Sequence, residues 1–130
     1  MKGVYAALFT PKENGKGYYC RVPDLPGCIT TGKDIEESLE LIQDAANLWL
    51  CDAENDKKAI PEPTDLKDIK HEANDICTLI SVDTVKYRQE NDSRSVRKNV
   101  SLPAWMAFQA EQRGINCSQV LQSALKKLLV

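Results

Sequence analysis

The first candidates for chemistry are five thiols: Cys20, Cys28, Cys51, Cys77 and Cys117. Thiolates ligate metals, form disulfides and act as nucleophiles. Their number is odd and no two are spaced Cys-x-x-Cys. A structural zinc site needs clustered thiolates or imidazoles. The chain offers scattered cysteines and one histidine, His71. The expectation is therefore reduced thiols, mostly buried, with no metal and no cofactor. His71 sits in the polar run Lys70-His71-Glu72 without an evident serine or cysteine partner, so no nucleophilic constellation forms around it. A magnesium-dependent nuclease would cluster several carboxylates. Asp24, Asp34 and Asp83 are the nearest candidates, and the sequence does not bring them together. The chain reads as a non-enzyme.

A second constellation carries recognition chemistry. Val96, Lys98, Val100 and Leu102 alternate with Arg97, Asn99 and Ser101, the period of a short strand. Val100 and Leu102 then face a core, and Arg97, Asn99 and Ser101 face away from it. Arginine grips O6 and N7 of guanine, asparagine pairs with N6 and N7 of adenine, and serine is adaptable. The plainer alternative is that these polar residues solvate a surface strand. Charge supports the first reading. Residues 93–130 hold six basic residues and one acid, Glu111, for a balance of +5, whereas residues 1–92 hold 11 basic and 18 acidic residues, for −7. A basic tail on an acidic body suits a polyanion at one end and a basic partner at the other.

The elements that must position these residues follow from period and punctuation. At 130 residues, 42% apolar and 28% charged, the composition is that of a soluble globular chain. No apolar run approaches the ~20 residues of a membrane helix. The start Met1-Lys2-Gly3-Val4-Tyr5 lacks a signal-peptide core, so the expectation is a cytoplasmic protein without a membrane partner. Residues 3–10, 18–22 and 28–32 read as strands, the first two joined by a turn-rich loop and the last two by Pro23-Asp24-Leu25-Pro26-Gly27. Residues 35–50 carry an apolar stripe of Ile35, Leu39, Ile42, Ala46, Trp49 and Leu50. Asp34 is the expected cap, with Glu37 completing a capping box. Glu36, Glu40 and Asp44 lie off the stripe. Residues 52–75 read as a loop with a helical turn near 64–69, and residues 76–82 as a fourth strand. The order β-β-β-α-β makes residues 1–85 an α+β body with a helix on one sheet face.

Residues 86–94 are polar and unpatterned and read as a linker to a second unit, 95–130. In that unit the alternating strand ends at Pro103, which opens a helix to about Arg113, closed by Gly114. Asn116 caps a second helix, Cys117 to Leu129, with the stripe Val120, Leu121, Ala124, Leu125 and Leu128. One strand and two helices of this size bury no stable core alone. Two copies of the strand pairing antiparallel, with four helices sharing a core, resolve this. The string VRKNVSLPAWMAFQAEQRGINCSQVLQSALKKLL resembles the ribbon-helix-helix family along its whole length. That resemblance implies a homodimer whose strand ribbon enters the major groove of double-stranded DNA, with base contacts from Arg97, Asn99 and Ser101. The free N–H groups around Asn116, Cys117 and Ser118 suit a phosphate. The stretch Ala110–Ser118 also resembles the turn of a helix-turn-helix, although that fold needs a third helix.

The body adds a second resemblance. Residues 5–50, with PDLPGCITTG at 23–32 followed by the acidic helix start DIEESLE, are similar to the N-terminal domain of HicB antitoxins. The resemblance implies a partial, inactive ribonuclease H-like fold and a HicA-like, mRNA-cleaving toxin as partner. It also implies binding to operator DNA with repression of the operon, and assembly beyond the dimer. The acids Glu36, Glu37, Glu40 and Asp44, with Asp24 in the preceding loop, are the candidate toxin contacts. A solvated helix face is the plainer alternative for each. A ribbon-helix-helix repressor whose body senses a small ligand is the competing function.

Overall fold

The computed structural model describes residues 1–92 and 94–129. The chain divides into two compact units, Met1–Arg94 and Ser95–Val130. The first unit runs β1 (Lys2–Pro11), β2 (Tyr18–Arg21), β3 (Ile29–Gly32), α1 (Ile35–Asn55), β4 (Ile76–Asp83) and α2 (Thr84–Asn91). The four strands form an antiparallel sheet in the order β3-β2-β1-β4.

β1 is central, and its run Tyr5–Phe9 is buried throughout. A continuous apolar run is what a strand covered on both faces needs. Its side chains divide by parity. Tyr5, Ala7 and Phe9 join Cys20, Val22, Ile80 and Val82 in the main core, against Ile42, Ala46 and Leu50 of α1. Ala6 and Leu8 form a smaller core on the opposite face with Ile69. Residues 56–75 form a strap that serves both faces: Ile60 packs against the main core, and Leu66 and Ile69 cover Ala6 and Leu8. The Tyr5 hydroxyl donates to Pro61 O at 2.6 Å, and Leu66 packs against Ala6, Leu8 and Ile69 from a single 3-10 turn, Leu66–Asp68. Asp75 closes the strap, accepting from Thr10 Oγ1 at 2.6 Å.

α1 begins as its sequence dictates. Asp34 accepts from Glu37 N–H at 2.8 Å. Glu37 returns to the Lys33 N–H at 2.7 Å, one residue ahead of the usual capping-box donor. The buried positions are Ser38, Ile42, Ala46 and Leu50, each four residues apart, followed by Cys51 and Ala53. Leu39 and Trp49 are half-buried beside them, and Ile35, expected on the stripe, is exposed. Ser38 takes the first inward turn instead because Gly32 lies directly against it: a Cβ on Gly32 would stand 2.8 Å from both Ser38 Cα and Ser38 N.

Residues 86–94 are not simply a linker, because Thr84–Asn91 form α2. This helix has no apolar period to announce it. It is held from outside: Asp83 caps it through Lys86 N–H at 3.1 Å, and Arg88 donates to Cys51 O at 3.1 Å and to Glu54 at 3.3 Å. Thr84 donates its N–H to Met1 O at 2.9 Å.

The second unit contains α3 (Ala104–Gln112) and α4 (Cys117–Leu129). Gly114, at φ +64, ends α3. Its N–H reaches Glu111 O at 3.1 Å and Ile115 N–H reaches Ala110 O at 2.9 Å, the paired bonds of a Schellman motif. The expected strand at 96–102 is absent, since these residues are irregular in the chain as described. A strand exists only with a neighbour to bond, and this unit offers none within one copy.

Candidate partner and nucleic-acid surfaces

The acids of α1 are Glu36, Glu37, Glu40, Asp44, Asp52 and Glu54, and the helix carries no basic residue. Glu54 is neutralised by Arg88 at 3.3 Å. Glu36, Glu40, Asp44 and Asp52 are exposed, and Glu37 is half-buried in its cap. Glu36, Glu37 and Glu40 line a shallow cleft with Lys33 and Asp34. Asp44 faces α2, where burial first, and then the Asp44 carboxylate, push the Tyr87 phenol upward. The arrangement is an acidic helix face suited to a basic partner. Two residues of this face were not among the expected contacts. Leu41 is 38% exposed and Leu48 48%. Their spacing of seven puts them on one ridge with Asp44 between them. The sequence does carry this signal, as two leucines off the buried stripe.

Asp24 is placed differently from these acids. Its two carboxylate oxygens accept from Thr64 N–H at 2.8 Å and Thr64 Oγ1 at 2.7 Å. It therefore anchors the strap to the β2–β3 loop. In the same loop Pro26 O accepts from the Trp49 indole N–H at 2.9 Å, and Gly27 adopts φ +83. Asp34 and Asp83 cap helices, so all three carboxylates weighed for metal chemistry have backbone partners. Among the described residues no three His, Cys, Asp or Glu side chains are grouped to hold a metal ion. Burial pushes the Cys28 thiol up to about 11 and raises Cys20 and Cys51 as well. His71 is exposed, with Nδ1 2.8 Å from Glu72 O.

In the second unit Arg97, Asn99 and Ser101 are all exposed on the irregular stretch before α3. At the start of α4, Asn116 accepts from Gln119 N–H at 3.2 Å, and its side chain is thereby committed to capping. Cys117 and Ser118 follow, exposed, in the first turn, where helical N–H groups have no intrahelical acceptor. None of the described residues in α3 or α4 is buried. Trp105, Phe108, Val120 and Leu128 are all more than half exposed.

A protein-family model described as the HicB-like antitoxin of bacterial toxin–antitoxin systems matches residues 5–124. The chain belongs to this family. The match spans the body from Tyr5, the strap, α3 and the first part of α4. A protein of Helicobacter pylori described as a UPF0150 protein is 43% identical over 53 residues, covering 41% of this chain and 71% of that protein. Among solved structures, a toxin–antitoxin complex from Streptococcus pneumoniae aligns with TM-score 0.63 at 22% identity, over 98% of this chain and 99% of that one. The antitoxin HicB of Burkholderia pseudomallei aligns at 0.56 and 20% identity, over 98% and 99%. At such identities the likeness is one of fold, and it establishes the mixed α+β architecture as that of HicB-type proteins. No helix among the described residues is long and apolar enough to cross a membrane.

Proposed function

We propose that this HicB-like chain is a cytoplasmic, non-enzymatic antitoxin that occludes a small, basic, RNA-cleaving toxin with its body. Its tail binds operator DNA and represses its own operon. The observation that carries the antitoxin half is the family match over residues 5–124, and the unneutralised acids of α1 supply the complementary surface. A toxin built to hold RNA presents cations, and an acidic helix competes for them.

The DNA half rests on the second unit's chemistry. None of the described residues of its helices is buried within one copy, and its irregular stretch before α3 has no strand to bond. Pairing two copies as a ribbon-helix-helix homodimer answers both deficits. Arg97, Asn99 and Ser101 then face the major groove, and the N–H groups at Asn116, Cys117 and Ser118 meet phosphate. Higher assembly is compatible with this arrangement.

The test has two arms. The protein encoded beside this one is expressed alone and together with it; growth arrest relieved by co-expression is the expected result. The absence of any toxic neighbour sinks the antitoxin half. Gel-shift titration on the DNA upstream of the gene tests the other half, which fails if binding there is no tighter than to unrelated DNA.

A further inference from the structure

We infer that the outward face of β2 and β3 is a docking surface for single-stranded RNA, with Tyr19 as its base-stacking platform. This goes beyond the antitoxin reading and does not depend on it.

The two faces of the sheet differ in charge. α1, with its acids, packs on the inner face. On the other face the outward positions of β1, β2 and β3 hold no acid. The strap covers Ala6 and Leu8 there and leaves β2 and β3 bare. Their outward side chains, by the alternation of a strand, are Tyr19, Arg21, Ile29 and Thr31, and all four residues are exposed. Tyr19 stands opposite Thr31, and Arg21 opposite Ile29. Tyr19 is 53% exposed and Ile29 67%, so an aromatic ring and a branched apolar side chain lie open on one small patch.

Cations stand on both sides of that ring. Lys12, whose N–H bonds Gly17 O at the turn end of the hairpin, holds its Nζ 5.3 Å from the Tyr19 ring centroid. Lys12 enters no ion pair among the described residues. Arg21 lies two positions along β2 in the other direction. Its ion pair is with Asp75 at 4.0 Å. The Asp75 oxygens are already committed, accepting from Thr10 Oγ1 at 2.6 Å and from Glu72 N–H at 2.9 Å. Among the described residues the Arg21 guanidinium donates no hydrogen bond, and its side chain is 50% exposed. A planar fork of unspent donors suits a phosphate.

An exposed aromatic ring flanked by cations on an antiparallel sheet is the chemistry that holds a single strand: bases stack on the ring and phosphates meet the cations. Ile29 adds apolar contact for a neighbouring base. The exposed Thr31, directly across from Tyr19, places a hydroxyl beside the stacked nucleotide, where it can meet the 2′-hydroxyl that DNA lacks. A duplex keeps its base faces stacked and offers none to Tyr19. A second copy of this face sets like charges together. An acidic polypeptide uses the cations and leaves the ring idle.

The experiment uses the full chain and a short oligouridine. Ultraviolet cross-linking with mass spectrometry locates the adduct, and fluorescence anisotropy gives the affinity. The expected adduct lies on Tyr19, and Tyr19→Ala weakens binding roughly tenfold, the scale of one lost stack. Lys12→Glu weakens it as well, and it decides if circular dichroism shows Tyr19→Ala unfolded. The inference is overturned if adducts are confined to residues 95–130, whose basic side chains also attract polyanions. It is equally overturned if a folded variant of either kind binds like the wild type. Oligodeoxyuridine bound as tightly as oligouridine overturns the assignment to RNA, and displacement by polyglutamate of equal charge overturns the stacking. None of these outcomes bears on toxin neutralisation.

Discussion

Gly32 is where the PDLPGCITTG signature meets the acidic helix, and replacing it by alanine isolates that contact. The added Cβ falls 2.8 Å from both Cα and N of Ser38, and it also meets the Ser38 hydroxyl. Two of these three neighbours are backbone of the first turn of α1. They cannot rotate away, and moving the turn disturbs the cap that Asp34 makes with Glu37 N–H. Forcing an extra carbon into a packed core costs ~1–3 kcal/mol. With backbone as the obstacle, Gly32→Ala belongs at the upper end, near ~3 kcal/mol, a large share of the ~5–15 kcal/mol that holds a domain together. Urea titration followed by Trp49 fluorescence, in a Trp105→Phe background, reports the body alone, because Trp49 lies on α1 and is tied to Pro26 O. Gly27→Ala serves as the control: that position, unlike Gly32, has positive φ but nothing within 4 Å of a Cβ, so its cost is backbone strain of ~1–2 kcal/mol. Adding Ser38→Ala to Gly32→Ala should recover only part of the loss, since the hydroxyl is one obstacle of three. Full recovery, or a Gly32→Ala midpoint no lower than the control's, refutes the backbone argument.

Three further perturbations follow from contacts described above. The Thr10 hydroxyl, and then the Glu72 N–H and Arg21, outweigh burial and hold the Asp75 carboxyl below the ordinary aspartate value of 3.8. Its stabilising contribution is therefore present above that value and lost as pH falls through the lower folded one. Asp75→Asn should be less stable at neutral pH and lose less stability on acidification, and parallel urea midpoints for the two proteins below pH ~4 would contradict this. Asp34→Ala removes the cap of α1 and should cost ~1 kcal/mol in the same titration; no measurable loss would show that the Glu37 side chain on Lys33 N–H suffices. On the proposed DNA mode, Arg97→Ala should weaken operator binding by ~1–3 kcal/mol while leaving toxin neutralisation intact. Operator affinity should also fall steeply with salt. A flat salt response in the gel-shift, or equal loss of both activities, would defeat the division of labour.

α1 was legible because its apolar residues repeat at steps of three and four and its cap is a local Asp-x-x-Glu pattern. β1 was legible because a strand covered on both faces is an unbroken apolar run. What escaped was held by distant partners. α2 has almost no apolar side of its own, and it exists through Arg88 reaching back to Cys51 and Glu54. The strap depends on Leu66 and Ile69, two apolar residues in a polar stretch, finding Ala6 and Leu8 more than 50 positions away in the chain. Asp24 read as a free acid because its partner, Thr64, is forty residues off. Among the site residues, the acids of α1 could be placed on one helix by spacing alone. The alternation at 96–102 marks which residues share a side, but one copy of the chain contains nothing for that stretch to pair with.

The two units solve the problem of burial in different ways, and the difference has a functional consequence. The body hides Tyr5, Leu8, Phe9, Ile42, Leu50 and Ile80 almost completely. Among the described residues of the second unit, no large apolar side chain is buried to that extent. Covering a single leucine or phenylalanine is worth ~1.5–3 kcal/mol, so the second unit's stability must come from whatever covers Trp105, Phe108, Leu121 and Leu125. On the proposed pairing that cover is another copy, and folding of the tail is linked to association by mass action. The body needs no such help to present its acidic helix. On the proposed function, toxin occlusion then needs only a single chain, whereas operator binding switches on only where the chain is abundant enough to pair.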